Sequence, residues 1–236
     1  MSDPFDPGAG SDAFQIVRHP RARRARLTFD PASGRARLVL PPRAALKPAL
    51  AWARGKADWI AERRAALPRA VPFAPGAVIE VAGERLTIDW RPGSRRAVLR
   101  EGDLLSLEGP VETVSRRVEA WLKREALDLL ARETAEFAAK AGVTVSKVAV
   151  ADPRGRWGSC SSTAAIRYSW RLLLAPGWVR RATVAHEVAH RVHMNHGSAF
   201  HALVAELLGS DPAPARAWLR ANGAALHWVG KSSSGR

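Results

Sequence analysis

Residues 182–190, with the sequence ATVAHEVAH, constrain the fold of this chain more than any other segment. The segment is rich in small and apolar residues, as expected for a helix buried inside a protein, yet it carries His186, Glu187 and His190. On a helix, residues four apart lie on one face, so the two imidazoles could reach the same metal ion. Because buried polar groups need a compensating partner, the segment predicts a buried helix that holds a metal.

Glu187 directly follows the first of these histidines. At that position a carboxylate can hold a zinc-bound water, accept its proton and pass the proton to a leaving amine. Zinc lowers the pKa of such a water to about 7, so hydroxide would be available at neutral pH. The arrangement is typical of zincins, and we therefore predict a metallopeptidase that hydrolyses peptide bonds with one zinc ion per chain.

A catalytic zinc ion needs a third protein ligand and an open fourth position. Five of the seven histidines lie between residues 186 and 201. His196 is one candidate, because a helix that ends soon after His190 could turn back through it. His193 is a second candidate, although one straight helix rarely directs three side chains at one ion. Cys160 is a third, and as a ligand it would indicate a hydrolase of non-peptide amides in the style of deformylases.

Short apolar runs separated by Gly and Pro predict a β-rich first half. A hairpin is expected where residues 26–29 and 36–40 flank a turn at 30–34. A helix is predicted over 46–66 from its apolar spacing. Further strands are predicted at 78–81, 86–90, 97–99 and 104–107.

The second half is predicted to be helix-rich. A long helix is expected over 111–140, with Gly142 at its C-terminal cap. Strands are expected at 147–151 and 164–174, on either side of a Gly- and Ser-rich loop at 153–163. Three more helices are predicted: one opening at Ala175 and Pro176, one bracketed by Ser198 and Gly209, and one running from Asp211 to Gly223.

Together these elements predict an α+β fold without internal repeats. We expect a disordered N-terminus at 1–12 and a β-rich lobe with one helix at 13–110. A zincin-like metallopeptidase lobe, with a small sheet beside the active helix, is expected at 111–228, followed by a flexible tail at 229–236. With 236 residues the chain can bury a core without disulfides, and Cys160 is its only cysteine.

The composition argues against a membrane protein or a secreted one. No stretch approaches the roughly 18 apolar residues that a membrane span requires. The first residues lack a basic segment followed by an apolar core, so we expect no signal peptide and a cytoplasmic location.

The formal net charge of +15 raises the question of a nucleic-acid partner. The basic residues are spread along the chain, whereas a dedicated nucleic-acid arm would concentrate them. The densest cluster lies at residues 19–26. We expect peptide or protein substrates, with weak nucleic-acid association through a basic surface at most.

Several motifs occur in a familiar order. They are DPRGRWGSCSS at 152–162, SWRLLLAP at 169–176, HEVAH at 186–190 and NHGSAF at 195–200, preceded by GKADWI at 55–60. This set resembles the YgjP-like metallopeptidases, and the resemblance extends over residues 20–228. The combination of motifs is far more specific than the HEVAH segment alone.

The resemblance implies that His186, His190 and His196 are zinc ligands and that Glu187 is the catalytic base. It also implies kinship with the SprT-like and WLM zincins, some of which act on DNA-bound proteins. A DNA-associated protease is therefore an alternative hypothesis, and the non-peptide amide hydrolase is another. A degenerate, non-catalytic zinc domain is disfavoured, because a structural site has no need of a base.

The chain departs from the family pattern at one position beside the motif. The family usually has Trp after the residue that corresponds to Phe200, where this chain has His201. His201 and Arg156 are candidates for contacts with the substrate or with the oxyanion of the transition state, although Arg156 could instead brace its loop. Residues 164–170 are expected to line the cleft and pair with extended substrate.

Overall fold

The computed structural model describes residues 14–94 and 97–232. The disorder predicted at 1–12 and the last part of the predicted tail, 233–236, therefore lie outside the described residues. Contacts divide the chain into two compact units, with the division between Arg69 and Ala70. The α+β prediction is confirmed, since strands dominate the first part of the chain and helices the rest.

The first unit contains a three-stranded sheet followed by two helices. Its strands are β1 (Phe14–Arg18), β2 (Arg26–Asp30) and β3 (Arg35–Leu40), in the order β1-β3-β2. The predicted hairpin is the antiparallel pair of β2 and β3. Strand β1, which the sequence analysis did not predict, is parallel to β3.

The single helix predicted over 46–66 is two helices, α1 (Leu46–Arg54) and α2 (Ala57–Ala65). The chain turns between them at Gly55 and Lys56, and glycine is a poor helix former because it loses the most backbone freedom on folding. Leu38 and Leu40 of β3 form a small core with Ala49 and Ala53 of α1.

The second unit begins with a four-stranded sheet in the order β4-β5-β7-β6. Its strands are β4 (Val78–Val81), β5 (Glu84–Arg91), β6 (Leu99–Glu101) and β7 (Leu104–Glu108). Alternate residues of β4, β5 and β7 are buried, as the period of two requires. These side chains share one core with the helices that follow. The predicted lobe boundary between residues 110 and 111 therefore separates elements that share one core. The predicted division into two lobes stays a prediction.

The long helix α3 (Val114–Lys140) lies close to its predicted bounds, after a 3-10 turn at Val111–Thr113. Gly142 has φ 63°, the left-handed conformation that the sequence analysis expected at this cap. The buried residues of α3 recur at helical spacing, and they include Val118, Leu122, Leu130 and Phe137. This face of α3 joins the core of the second unit.

A second sheet of this unit precedes the remaining helices. It consists of β8 (Lys147–Ala151), β9 (Gly158–Cys160) and β10 (Ala165–Ser169), in the order β8-β10-β9. A 3-10 helix at Trp170–Leu174 follows, and then α4 (Gly177–Ala189), α5 (Ser198–Leu208) and α6 (Ala213–Leu226). In the described part of the chain, no helix is both long and apolar enough to cross a membrane.

Four predictions in this region differ from the structure. The strand predicted over 164–174 ends at Ser169, whose hydroxyl accepts the N–H of Arg171 and caps the 3-10 helix. The loop predicted at 153–163 contains β9. Gly223 lies inside α6 and does not end it. Val229, in the predicted tail, forms a bridge with Val71.

Candidate metal centre

The end of α4 and the turn after it bring three histidines together. α4 carries His186 and ends at Ala189, and His190 is its C-terminal cap. The N–H of Arg191 donates to the carbonyl of Val188 at 2.8 Å, and further tight turns follow before α5 begins at Ser198. The chain therefore doubles back, and His196 returns to the end of α4.

The ligand nitrogens of His186, His190 and His196 all lie within 4.8 Å of one another, so the three side chains could hold a metal ion. The Nε2 atoms of His186 and His196 are 3.2 Å apart. Within the described residues, neither Cys160 nor His193 belongs to this group. The structure thus brings together three of the residues that the sequence analysis weighed as ligands and leaves two outside.

His193 contacts the metal-binding group through its backbone carbonyl and not through its imidazole. The Nδ1 of His190 lies 3.1 Å from the carbonyl oxygen of His193. An Nδ1–H that donates to this carbonyl fixes the tautomer of His190 and leaves Nε2 with the lone pair that a metal requires.

Phe200 packs against all three imidazoles. Its ring centroid lies 4.9 Å from that of His186, 4.5 Å from that of His190 and 4.7 Å from that of His196. Phe200 is fully buried at the start of α5, so it holds the rings in position from the protein interior. The sequence analysis quoted Phe200 within a motif but gave it no role, because nothing in the local pattern shows what a buried ring contacts.

Two of the histidines are in the protonation state that metal binding needs. Burial, together with the neighbouring His190 and His196, lowers the pKa of His186 to about 4. Burial also lowers the pKa of His190. Both imidazoles are therefore neutral at pH 7, as a metal ligand must be.

Glu187 is buried and lines the same cavity as His186. Glu187 is only 5% exposed. Burial raises its pKa to about 7, and the positive charge of Arg156 opposes this rise. A Cβ at position 158 would lie 2.5 Å from Oε1 of Glu187, so Gly158 leaves the space that the carboxylate fills. The sequence analysis missed this function of Gly158, although the residue stands in the motif at 152–162.

The strand expected to pair with substrate is not available for pairing. β10 is the middle strand of its sheet, parallel to β8 on one side and antiparallel to β9 on the other. The prediction for residues 164–170 is therefore wrong, because both edges of this strand already have partners. The edge strand on this side is β9, which packs beside α4.

The hydrogen-bond register of β9 shows which of its backbone groups face outward. The N–H of Ser169 donates to the carbonyl of Trp157, and the N–H of Ser161 donates to the carbonyl of Ala165. Because bonding alternates along an antiparallel strand, the backbone groups of Gly158 and Cys160 point away from β10, towards the open edge.

A cavity of about 250 Å³ opens beside His186 and Glu187. Much of its lining is apolar and comes from Trp157, Ala182, Val204, Pro212, Ala215 and Leu219. Arg156 and Arg216 also line it.

Arg156 forms no hydrogen bond or ion pair with any residue that the structure describes, so the contacts give no support to a role in bracing its loop. His201 does not line this cavity. Its ring centroid lies 6.4 Å from that of His196.

The segment that carries Arg156 is anchored by Arg171. The Nε and Nη2 of Arg171 donate to the two carboxylate oxygens of Asp152 at 2.7 and 3.0 Å. Its Nη1 donates to the carbonyls of Leu226 and Val229 at 2.7 and 2.9 Å. These bonds tie the start of the 152–162 loop to the end of α6.

The chain matches the model of a known protein family. The sequence model of a family described as "YgjP-like, metallopeptidase domain" matches residues 23–222, which include every residue of the metal-binding group. No curated protein and no solved structure matches the chain.

Proposed function

The chain belongs to the YgjP-like metallopeptidase family, and on that premise we propose that it is a zinc-dependent enzyme that hydrolyses peptide bonds with Glu187 as general base. The observation that carries this proposal is the convergence of three imidazoles within 4.8 Å next to a buried carboxylate. A structural metal site has no need of such a carboxylate, whereas a hydrolytic site requires one.

Zinc is the metal that this donor set fits. Catalytic zinc sites commonly have three protein ligands, and a set of three neutral imidazoles is one of their forms. Imidazole also binds copper, iron and nickel, so the choice of zinc rests on the donor set together with the family. When bound, zinc supplies Lewis-acid activation of a water molecule and of the scissile carbonyl.

Glu187 would move the protons of the reaction. Its carboxylate accepts a proton from the attacking water and returns it to the leaving amine. A pKa of about 7, raised by burial, suits both steps near neutral pH. The lack of a side chain at Gly158 lets the carboxylate remain in place beside the metal-binding group.

Strand β9 would bind the substrate backbone. The outward N–H and C=O groups of Gly158 and Cys160 can pair with an extended peptide by strand addition. Because Gly158 also abuts Glu187, a peptide paired there would pass the general base. The proposed substrate-binding strand is therefore β9, whereas the sequence analysis predicts residues 164–170.

Arg156 and His201 would contact the substrate or the transition state from different sides. Arg156 lines the cavity, and its charge acts on Glu187. His201 is exposed and lies next to His196. If Arg156 stabilises the oxyanion, Arg156→Ala will lower turnover while the bound metal stays unchanged.

Metal analysis combined with a peptidase assay tests the proposal. Protein purified without chelators should contain about one zinc ion per chain, and it should cleave members of a fluorogenic peptide library. Chelation should abolish cleavage and added zinc should restore it, whereas Glu187→Gln should bind zinc but stay inactive. A protein that can be loaded with zinc yet cleaves no peptide in such a library would overturn the peptidase assignment.

The alternative functions have less support. The metal-binding group does not include Cys160, so the geometry does not favour the amide hydrolase with a thiolate ligand. The DNA-associated protease rests on the net charge of +15 and on family kinship. It predicts cleavage that DNA stimulates and that falls steeply with added salt. Cytoplasmic location likewise stays a prediction.

A further inference from the structure

The cavity beside the metal-binding group has an apolar floor and a cationic rim. Ala182, Val204 and Ala215 line it and are buried, with exposed fractions of 6%, 1% and 4%. Arg156 and Arg216 line the same cavity but are exposed. An occupant would therefore meet apolar atoms at the bottom and guanidinium groups at the mouth.

The two rim arginines are not held by other side chains in the described part of the chain. Neither Arg156 nor Arg216 forms an ion pair or a side-chain hydrogen bond with the described part of the chain. By contrast, two buried arginines of this unit are bound to carboxylates, Arg171 to Asp152 and Arg180 to Glu133. Two unpaired guanidinium groups beside one cavity fit the binding of an anion, and guanidinium pairs especially well with carboxylate.

Both charges lie close to the groups that would perform the reaction. Arg156 and Arg216 line the same cavity as His186 and Glu187. An anion held between the two arginines would therefore lie next to the metal-binding group.

The size of the cavity limits what can enter it. At about 250 Å³ it falls below the roughly 300–1,000 Å³ of pockets for drug-sized ligands. It can accept one apolar side chain but not a longer segment of peptide.

The position of the charges distinguishes between two sources of carboxylate. The side chain of Asp or Glu entering the cavity would carry its charge down to the apolar floor, where burial of an unpaired charge is costly. A C-terminal residue with an apolar side chain would fill the floor and leave its α-carboxylate at the level of the backbone, beside the rim. In this second arrangement the apolar side chain contacts the apolar floor, and the carboxylate contacts the arginines of the rim.

We propose that this cavity binds the C-terminal residue of a peptide substrate, with an apolar side chain against Ala182, Val204 and Ala215 and the α-carboxylate between Arg156 and Arg216. The inference rests on the proposed peptidase function and specifies its substrate class. The enzyme would then favour removal of an apolar C-terminal residue. Water adds to the last peptide carbonyl, the C–N bond breaks, and the proton that Glu187 carries passes to the released amino acid.

Matched peptides test the inference. The set has one blocked N-terminal sequence and four ends: Leu with a free carboxylate, Leu amide, Ser with a free carboxylate, and Asp amide. We expect kcat/KM to be highest for the free Leu end and about tenfold or more lower for Leu amide, as for the loss of one charge-assisted hydrogen bond. Arg216→Gln should remove this difference, and Arg216→Lys should keep part of it.

A binding measurement separates recognition from turnover. Calorimetric titration of the Glu187→Gln variant with the free-acid and amide forms of the Leu peptide should show the same preference. The matched control is Arg220→Gln, since Arg220 is exposed on the same helix but does not line the cavity. It should leave both the binding and the kinetics unchanged.

The outcomes separate this inference from the proposed function. If the zinc-loaded protein cleaves no peptide of any kind, the peptidase function fails. If it cleaves the Leu acid and the Leu amide equally, and Arg216→Gln has no effect, the peptidase function stands and the C-terminal assignment is overturned. Equal cleavage of Asp amide and the free Leu end would also overturn it, because a side-chain carboxylate would then satisfy the arginines.

Discussion

A Cβ on residue 158 would lie 2.5 Å from Oε1 of Glu187 and 2.6 Å from its Cγ. Side-chain carbons essentially never approach that closely, so Gly158 of β9 and Glu187 of α4 occupy complementary space. The absence of a side chain in one element thereby sets the position of the carboxylate in the other.

Gly158→Ala should inactivate the enzyme without removing its metal. The new methyl group must displace the Glu187 carboxylate, and a shift of about 1 Å in a catalytic group can cost on the order of 100-fold in rate. We expect kcat on a cleaved peptide to fall by about that factor, with the metal content unchanged. Gly155→Ala is the matched control, since a Cβ there meets nothing within 4 Å. Unchanged turnover in Gly158→Ala would contradict the proposed role of Glu187.

His196→Ala should lose the metal, whereas His193→Ala should retain it. The imidazole of His196 belongs to the metal-binding group, but His193 offers only its backbone carbonyl to His190, and alanine keeps that carbonyl. Metal content per chain, measured by mass spectrometry on proteins purified identically, distinguishes the two variants. Retention of zinc in His196→Ala would mean that the third ligand lies elsewhere.

Gly223→Ala should destabilise the protein, although alanine is the better helix former. In an open helix the change from Gly to Ala would stabilise by about 1 kcal/mol. Here a Cβ would lie 2.6 Å from the Trp157 ring, which packs against His227 with a centroid distance of 5.4 Å. We expect the Tm to fall in thermal unfolding. Combination with Trp157→Phe, which has a smaller ring, should recover part of the loss, and a Tm that rises in the single variant would refute the predicted clash.

The bond between Asp152 and Arg171 should make stability depend on pH. Burial by itself would raise the pKa of Asp152, but the hydrogen bonds and charge of Arg171 outweigh it and lower the pKa. The stabilisation is therefore present above the ordinary pKa of about 4, and it is lost as the pH falls through the lower pKa of the folded state.

Asp152→Asn should lower the Tm at neutral pH, and its difference from the wild type should shrink as the pH falls below about 4. Thermal unfolding measured across this pH range checks the expectation. Asp128→Asn is the matched control, because Asp128 is exposed on α3 and forms no ion pair with the described residues. A difference that stays constant with pH would show that the ion pair does not contribute.

The ion pair between Glu133 and Arg180 should be the most sensitive polar contact of the core. Both residues are 6% exposed, and the contact joins α3 to α4 with distances of 3.0–3.1 Å. Glu133→Gln leaves a buried guanidinium without a countercharge, so the free energy of unfolding should fall by about 3–5 kcal/mol.

The control for this prediction is the exposed pair of Glu136 and Arg181, which joins the same two helices. Glu136→Gln should cost no more than about 1 kcal/mol. Chemical denaturation of the two variants gives the comparison. Replacing the buried pair together, by Glu133→Leu with Arg180→Met, should recover most of the loss, and equal losses in both single variants would contradict the distinction.

The sequence by itself predicted what depends on local pattern. The spacing of His186 and His190 on one helix, with Glu187 beside them, follows from the helical period. The hairpin of β2 and β3, the long helix α3 and the α+β class follow from the periods of apolar residues and from Gly and Pro between them. The family resemblance belongs here too, since its motifs are short stretches of contiguous residues.

Tertiary structure decided which segments meet. β10 is a middle strand and β9 an edge strand because of pairings across the sheet, and no period within either segment encodes its neighbours. Residues far apart in the chain likewise meet only in the folded protein. Gly158 leaves space for Glu187, and Gly223 leaves space for Trp157. Arg216 and His186 line one cavity. A sequence pattern records which face of an element is apolar, but the partner of that face is set only when distant elements pack together and compete for the same volume.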